Sequence, residues 1–242
     1  MTRVYRRDLA HIHDVGFGRF AAAAAAGVLA LLRRHGISGG RVVDLGCGPG
    51  TWPRSLVAAG YDVVGIDSSR AMIAIARKRA PAARFVVGSL HRVRLPRCHA
   101  VTAIGECLNY QFDAARKQPL LALFRRIRTA LVTGGMLVFD IAEPGQLRGD
   151  RSTVKHFAAR DWELVVRARE SVARRTLARE IVTFRRVGKL YRRDAETHRL
   201  RLFSRAEVAE QLCTARFTFT TSRRYGGFAL PPAHTAFVAI KT

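Results

Sequence analysis

Acidic residues are scarce in this sequence. Its 242 residues include 18 aspartates and glutamates against 42 lysines and arginines, a formal net charge of +24. Such an excess is typical of proteins with an anionic partner, whether RNA, a phosphorylated molecule or an anionic membrane surface. The arginines are nevertheless spread along the whole chain, without a basic block or a basic stripe interleaved with aromatic residues. Because a nucleic-acid footprint should cluster, the pattern favours solvated arginines over nucleic-acid binding.

Paired cysteines and long apolar runs are also missing. No C-x-x-C spacing joins the four cysteines, Cys47, Cys98, Cys107 and Cys213, so neither a zinc site nor a thioredoxin-type redox site is indicated. A reduced cytoplasm fits best. The longest apolar run, residues 20–32, is shorter than the ~20 residues of a membrane-spanning helix. Arginines precede this run, as in a signal peptide, but acidic residues and Arg19 interrupt the pattern and no clear cleavage site follows.

The apolar content of 48% is ordinary and predicts a globular chain with a real core. After an irregular lead-in over residues 1–18, helices alternate with short apolar strands. Most of these strands are apolar on both faces, which is typical of a parallel sheet covered by helices on both sides. We predict helices at 20–34, 53–59, 69–79 and 119–131, and strands at 41–45, 61–66, 84–87, 100–104 and 136–141.

The pattern changes after the fifth predicted strand. Residues 162–170, 176–186 and 190–202 alternate polar and apolar side chains, which predicts an inserted antiparallel sheet. Ser204 and Glu207 then form a capping box, which opens a helix to about Cys213. Two last strands are predicted at 217–222 and 236–240, with a loop rich in glycine and proline over residues 225–234.

A glycine-rich turn carries the strongest functional signal. Residues 42–50 read VVDLGCGPG, so a strand delivers the chain to the turn and a helix begins just beyond it. Glycines let the backbone turn sharply and lie against a ligand. A dinucleotide-binding loop requires G-x-G-x-x-G, whose third glycine would fall at Thr51, so the spacing disfavours a nicotinamide cofactor. A second carboxylate, Asp67, ends the next strand ~20 residues past the turn, where a ribose diol is commonly bound.

This strand–turn–helix segment resembles motif I of the class I S-adenosylmethionine (SAM)-dependent methyltransferases. The resemblance covers residues 5–142 closely and the last helix and strands loosely. It implies SAM as cofactor and an α/β fold: a seven-stranded, doubly wound, mostly parallel Rossmann-like sheet with strand seven antiparallel and an inserted antiparallel sheet. The implied organisation is an N-terminal lid and helix at 1–36, a SAM-binding core at 37–150, an acceptor-pocket insertion at 151–203, and the last elements of the core at 204–242.

The resemblance also implies which residues contact the cofactor. Asp44 would order the loop and the ammonium end of SAM, and Asp67 would accept hydrogen bonds from the ribose. Met72 would pack against adenine, or it is ordinary core packing. Ser89 stands where many relatives have an aspartate that receives the adenine amino group, and its hydroxyl can also accept a hydrogen bond. The predicted cofactor-binding set is Tyr5, Asp44, Gly46, Cys47, Gly48, Asp67, Ser68, Met72, Ser89, Leu90 and Gly105.

The absence of two sequence motifs limits the classes of molecule that we expect as methyl acceptor. The fourth predicted strand does not end in the N/D-P-P-Y segment of enzymes that methylate exocyclic or amide nitrogens of nucleic acid and protein. No Pro-Cys dipeptide of the C5-pyrimidine type is present either. We therefore expect a small-molecule N, O or C acceptor, which would be acidic if Arg192 and Arg193 bind it. Tyr225 and Phe228, in the last loop, would complete its pocket.

The candidate catalytic residues lie in three segments. Glu106 follows the fourth strand and would stabilise charge near the sulfonium or the acceptor. His11, with His13 as the alternative, lies in a lead-in that resembles the N-terminal lid of small-molecule members; a structural role is the other interpretation. Glu196 and His198 are two apart on a strand and so point to one face. They are either an acceptor-binding pair with base character or a solvated ion pair.

Two rival functions stay open at this point. The positive charge favours an RNA methyltransferase, whose affinity should fall steeply with salt because phosphate contacts release counterions. The non-enzymatic rival is a SAM-binding regulatory protein without turnover. The acceptor atom, the pathway and the oligomeric state do not follow from the sequence.

Overall fold

The computed structural model describes residues 4–111, 120–147 and 152–242. The helices in these ranges are α1 (Arg7–Phe17), α2 (Arg19–Arg34), α3 (Thr51–Ala58), α4 (Arg70–Arg79), α5 (Leu120–Ala130) and α6 (Arg205–Thr214). The strands are β1 (Arg41–Leu45), β2 (Asp62–Asp67), β3 (Arg84–Val87), β4 (Cys98–Ala103), β5 (Leu131–Ala142), β6 (Ser152–Ala159), β7 (Trp162–Ser171), β8 (Thr176–Val187), β9 (Leu190–Arg201), β10 (Phe217–Ser222), β11 (Arg224–Tyr225), β12 (Phe228–Ala229) and β13 (His234–Lys241).

A seven-stranded sheet forms the centre of the fold, in the order β3-β2-β1-β4-β5-β13-β10. Strands β1 to β5 pair in parallel, whereas β13 runs antiparallel to both β5 and β10. Apolar side chains on the two faces of the sheet pack into separate cores, one under α5 and α6 and the other under α2 and α3. The predicted doubly wound, mostly parallel sheet with an antiparallel last strand is therefore confirmed.

The inserted antiparallel sheet is also confirmed, in the order β6-β7-β8-β9. Its first strand, β6, was not predicted, because most of its side chains are exposed and it shows little apolar alternation. The inner face of the sheet packs Trp162, Leu164 and Ile181 against Leu9 and Ile12 of α1. This contact brings the insertion over the carboxyl ends of the central strands.

One segment near the N-terminus and one near the C-terminus differ from the prediction. Residues 7–17 form the helix α1 rather than an irregular lead-in, because Leu9 and Ile12 share the face that the insertion buries. The predicted loop over residues 225–234 contains the short hairpin of β11 and β12. Within the described residues, neither α1 nor α2 is by itself long and apolar enough to cross a membrane, and the two meet that criterion only as a pair bent by 60°.

Gly27 of α2 lies where a side chain has no room. A Cβ added there would lie 2.1 Å from the Tyr225 carbonyl oxygen, so the backbone of β11 would have to move. We expect Gly27→Ala to lower the free energy of unfolding by about 1–3 kcal/mol, because the overpacking outweighs the helix propensity gained. Urea denaturation measures this change. Ala26→Ser, on the exposed side of the same helical turn, is the control, and an unchanged Gly27→Ala midpoint would show that the hairpin yields freely.

Candidate active site

A cavity of about 1230 Å³ opens at the carboxyl ends of β1, β2 and β4. The glycine turn after β1 and the ends of β2 and β4 form its floor, where open parallel sheets commonly bind ligands. Leu164, Ile181 and His198 of the insertion and Leu9 and His13 of α1 form its opposite wall. The cavity therefore has one side built by the core and one side built by the insertion and α1.

The glycine turn is shaped by three left-handed residues. Gly46, Gly48 and Gly50 have φ angles of 71°, 52° and 81°, which favour glycine. The amides of Gly46 and Cys47 both donate to the Ile66 carbonyl, at 2.8 and 3.0 Å, and tie the turn to β2. A Cβ on Gly48 would meet no protein atom within 4 Å, so internal packing does not account for glycine here. The bare backbone at Gly48 instead borders the cavity.

Asp44 is a buried carboxylate at the end of β1. The Thr102 hydroxyl donates to its Oδ1 at 2.7 Å, and Thr102 in turn accepts from Trp52 Nε1 at 3.0 Å. Burial raises the pKa of Asp44 to about 7. A cationic group in the cavity beside Asp44 would therefore favour its ionised form.

Asp67 is a half-buried carboxylate that also lines the cavity. It accepts hydrogen bonds from the amides of Gly48, at 2.9 Å, and Ser69, at 2.8 Å. Burial raises its pKa, while these two hydrogen bonds oppose the rise. Ser69 also caps α4 by accepting from the Met72 amide at 3.1 Å. Asp67 thus fixes both the glycine turn and the start of α4, and its carboxylate still borders the cavity.

The donor set of this floor fits SAM. Asp44 is positioned for a cationic end, Asp67 for a hydroxyl-bearing sugar, and the uncovered Gly48 backbone for close approach. Every residue of the predicted cofactor-binding set, of which Tyr5 is the first and Gly105 the last in the chain, lines this same cavity. Their individual roles stay predictions.

Glu106 lies in the cavity wall, but its carboxylate is already paired. It accepts from both terminal nitrogens of Arg179, one of them at 3.2 Å, and lies 3.3 Å from His234 Nε2. Burial alone would raise the pKa of Glu106, but the hydrogen bond from His234 and the charge of Arg179 together lower it. The predicted charge near the sulfonium is therefore compensated by Arg179 and by a hydrogen bond with His234, two partners that sequence reasoning missed.

Asp140 holds the backbone that carries Glu106, and so supports the cluster of Glu106, Arg179 and His234. It accepts from the amides of Gly105 and Glu106, at 2.8 and 2.7 Å, and from the Tyr225 hydroxyl at 2.9 Å. Glu106 is held at a φ of 53°, a strained angle for a residue with a side chain. Tyr225 is fully buried beneath the cluster, and neither it nor Phe228 lines the cavity, contrary to the predicted pocket role.

Glu196 and His198 of β9 form a buried pair rather than a solvated one. His198 Nε2 lies 3.0 Å from Glu196 Oε2, and the side chains are 1% and 4% exposed. Since an ionised carboxylate only accepts, Nε2 donates to Glu196, and in the neutral imidazole Nδ1 keeps its lone pair. Among the residues that the structure describes, the buried Nδ1 of His198 has no hydrogen-bond partner, and the His198 residue lines the cavity. The neutral imidazole thus offers an unused proton acceptor on a residue of the cavity wall.

Three further polar rings surround His198. Tyr5 lies 4.7 Å from it, centroid to centroid, and its hydroxyl lies 3.0 Å from that of Tyr110. His13 packs edge-on against Tyr5 and lines the cavity, and burial lowers its pKa to about 4. His11 is not in the lining and lies 3.8 Å from Asp161. Of the two lead-in histidines, the structure thus brings His13 rather than His11 to the site.

The arginines expected to bind an acidic acceptor have another partner. Arg192 donates to both carboxylate oxygens of Asp8, at 2.6 and 2.7 Å, and joins β9 to α1. Neither Arg192 nor Arg193 lines the cavity. The structure therefore assigns Arg192 to the contact between the insertion and the N-terminal segment, and the prediction of an acceptor-binding arginine pair is wrong.

Comparison with known proteins agrees with this geometry. A family model described as a methyltransferase domain matches residues 42–135. A crystal structure of a SAM-dependent methyltransferase from Clostridium acetobutylicum superposes with a TM-score of 0.80, at 16% identity, and covers 96% of both chains. Residues 42–135 therefore match a methyltransferase domain, and nearly the whole chain shares the fold of that solved structure. Asp44, the glycine turn and Asp67 all lie within the matched residues of that domain.

Curated relatives of this chain are named for different acceptors. The trans-aconitate 2-methyltransferase of Variovorax paradoxus is 34% identical over 36% of this chain, and the match spans 44% of that protein. The chain therefore spans less than half of the length of this relative. The dTDP-3-amino-3,4,6-trideoxy-alpha-D-glucopyranose N,N-dimethyltransferase of Streptomyces venezuelae is 27% identical over 84% of this chain and 87% of its own length.

SAM binding to this chain should weaken as the pH falls through about 7. The raised pKa of Asp44 leaves its carboxyl half protonated near pH 7 in the free protein, and a cationic ligand favours the ionised form. Affinity should therefore level off above this pH and fall by up to about tenfold per pH unit below it. Calorimetric titration between about pH 5.5 and 8.5 measures the slope. Asp44→Asn should flatten it, and a flat wild-type profile would contradict the assignment.

Proposed function

We propose that the protein transfers the methyl group of SAM to an amine nitrogen of a small molecule, with His198 as the general base. One observation carries the proposal. His198 lines the cavity that contains Asp44 and Asp67, its Nε2 lies 3.0 Å from the buried Glu196 carboxylate, and its Nδ1 has no hydrogen-bond partner among the described residues. A histidine oriented in this way is suited to proton transfer near neutral pH.

The need for a base distinguishes the acceptor classes. A carboxylate acceptor arrives ionised and has no proton to lose. An alkyl amine, with a pKa of about 10 as in lysine, arrives protonated and is not a nucleophile until the proton leaves. His198 Nδ1 would take this proton, and the lone pair it uncovers would form the new N–C bond. SAM supplies the methyl group and leaves as a neutral thioether.

The size and cover of the cavity support a small acceptor. Its volume of about 1230 Å³ exceeds the ~300–1,000 Å³ of common ligand pockets, so there is room for an acceptor beside the cofactor. Walls from α1 and the insertion cover the acceptor side, and proximity within such a site supplies much of the rate. A relative whose match covers 84% of this chain is named for an amino sugar, which also favours a nitrogen atom as the methyl acceptor.

A labelled-methyl screen tests the proposal. The protein is incubated with methyl-labelled SAM and, separately, with nucleotide-linked amino sugars, simple amines, trans-aconitate and total RNA. We expect label in an amine. Label in trans-aconitate would replace nitrogen by a carboxylate oxygen, and label in RNA that falls steeply with salt would favour the nucleic-acid rival. Tight SAM binding with no labelled product in any mixture would support a regulatory protein without turnover.

A further inference from the structure

One face of β9 is devoted to the N-terminal segment, residues 5–8. Four alternating residues of the strand point to this face, namely Arg192, Asp194, Glu196 and His198. Arg192 binds Asp8, Asp194 accepts from Arg6 Nε at 2.9 Å, and the His198 ring packs on Tyr5. We call these four residues the β9 row. The proton acceptor assigned above is thus the last member of a row whose other members hold the segment.

Glu196 joins the segment to the imidazole. Its Oε2 accepts from the Tyr5 amide at 2.6 Å and lies 3.0 Å from His198 Nε2. Its Oε1 accepts from the Arg6 amide at 2.7 Å, and Arg6 Nε lies 3.8 Å away. The carboxylate is 4% exposed, so these donors replace the water that would otherwise solvate it. If the segment leaves, Glu196 loses two amide donors at once and becomes accessible to water.

The same segment also reaches the cofactor floor. The Ser69 hydroxyl donates to the Tyr5 carbonyl at 2.7 Å, and the Ser69 amide donates to Asp67. Tyr5 therefore bridges the loop that follows β2 and the β9 row through its own two backbone groups. It does so at a φ of 50°, an angle that costs energy for a residue with a side chain and requires contacts to hold it.

We propose that residues 5–8 are a positioning element for the base, so that the Glu196–His198 pair is complete only while the segment is docked. The proposal rests on the assignment of His198 as general base. Docking fixes Glu196, Glu196 holds the hydrogen on His198 Nε2, and Nδ1 of the neutral imidazole is thereby left unprotonated.

The charges around the pair are consistent with this role. Arg179 of β8 lies directly opposite His198 in the strand register but is bound to Glu106. Tyr110 and His13 face His198 as neutral rings, since burial raises the pKa of Tyr110 to about 12 and lowers that of His13 to about 4. Among the described contacts, Glu196 is therefore the anion that orients the imidazole.

Nuclear magnetic resonance of 15N-histidine-labelled protein tests the coupling without any acceptor. The His198 signals are assigned by their loss in His198→Gln, and exchange of the Tyr5 and Arg6 amides reports docking. In the wild type we expect the Nε2-protonated form and slow amide exchange. In Arg6→Met/Asp194→Asn, the amides should exchange about tenfold faster, the loss expected for one charge-assisted hydrogen bond. His198 should then show a mixture of tautomers.

Matched variants separate the coupling from general disturbance. Arg7→Met removes an exposed cation next in the chain and should leave both readouts as in the wild type. Arg6→Lys keeps a cation beside Asp194 and Glu196 and should stay close to the wild type in both readouts. Deletion of residues 2–6 removes the two amide donors outright, and a wild-type tautomer pattern in that deletion would overturn the proposal. Because none of these readouts needs turnover, methylation of an amine would survive as a finding even then.

Discussion

His198→Gln should lower kcat for amine methylation by about 10²–10⁴-fold, the range that general acid–base catalysis contributes. Glutamine fills a similar volume and can still hydrogen-bond Glu196, but it cannot take a proton at neutral pH. SAM affinity should change little, because the floor of Asp44 and Asp67 is untouched. Steady-state kinetics at saturating SAM, together with calorimetry, separate the two quantities. Raising the pH should partly recover the variant, since free amine then becomes available without a base.

The same sheet offers a matched control for this variant. His156 Nε2 lies 3.1 Å from Glu163, a second histidine–carboxylate pair, but the side chains are 56% and 48% exposed and neither residue lines the cavity. His156→Gln should therefore leave kcat within about twofold, as is usual for exposed substitutions. If His198→Gln also retained wild-type kcat at neutral pH, His198 would not be the base, and the acceptor would not need one.

The cofactor floor follows closely from local sequence pattern. A strand, a glycine turn and a helix are adjacent in the chain, and the second carboxylate ends the next strand. Parallel pairing then brings Asp44 and Asp67 to one edge of the sheet, because β1 and β2 are direct neighbours. The positive φ of Gly46 and Gly48 is what the glycine spacing indicates. Nothing long-range has to be known to place these groups together.

The acceptor side depends on contacts that no local pattern records. Glu106 and Arg179 lie 73 residues apart, and only the seating of the insertion brings them into contact. The alternation of β9 shows that Glu196 and His198 share a face, but it does not show that this face is buried. Burial depends on α1 and the segment before it, where charged residues and two histidines interrupt the apolar pattern.

Asp67→Ala should weaken SAM binding by about 1.5–3 kcal/mol, or about 10–150-fold in Kd, as expected when a charge-assisted hydrogen bond is lost. The side chain is half-buried and lines the cavity, and its predicted partner there is the ribose diol. Because Asp67 also accepts from Gly48 and Ser69, part of the loss would come from a looser floor. Asp67→Asn keeps one acceptor oxygen for these amides and should lose less affinity than Asp67→Ala. Calorimetric titration with SAM measures both.

The opposite end of the same strand supplies the control for this prediction. Asp62 opens β2 and pairs at the surface with Arg41 and Arg84, far from the cavity lining. Asp62→Ala removes the same charge from the same strand, so a general effect of net charge on an already basic protein would weaken SAM binding in both variants. If Asp67 itself binds the cofactor, Asp67→Ala will bind SAM much more weakly than Asp62→Ala. Equal SAM affinities in the two variants would show that Asp67 does not bind the cofactor. The glycine turn would then be the main evidence for a SAM site.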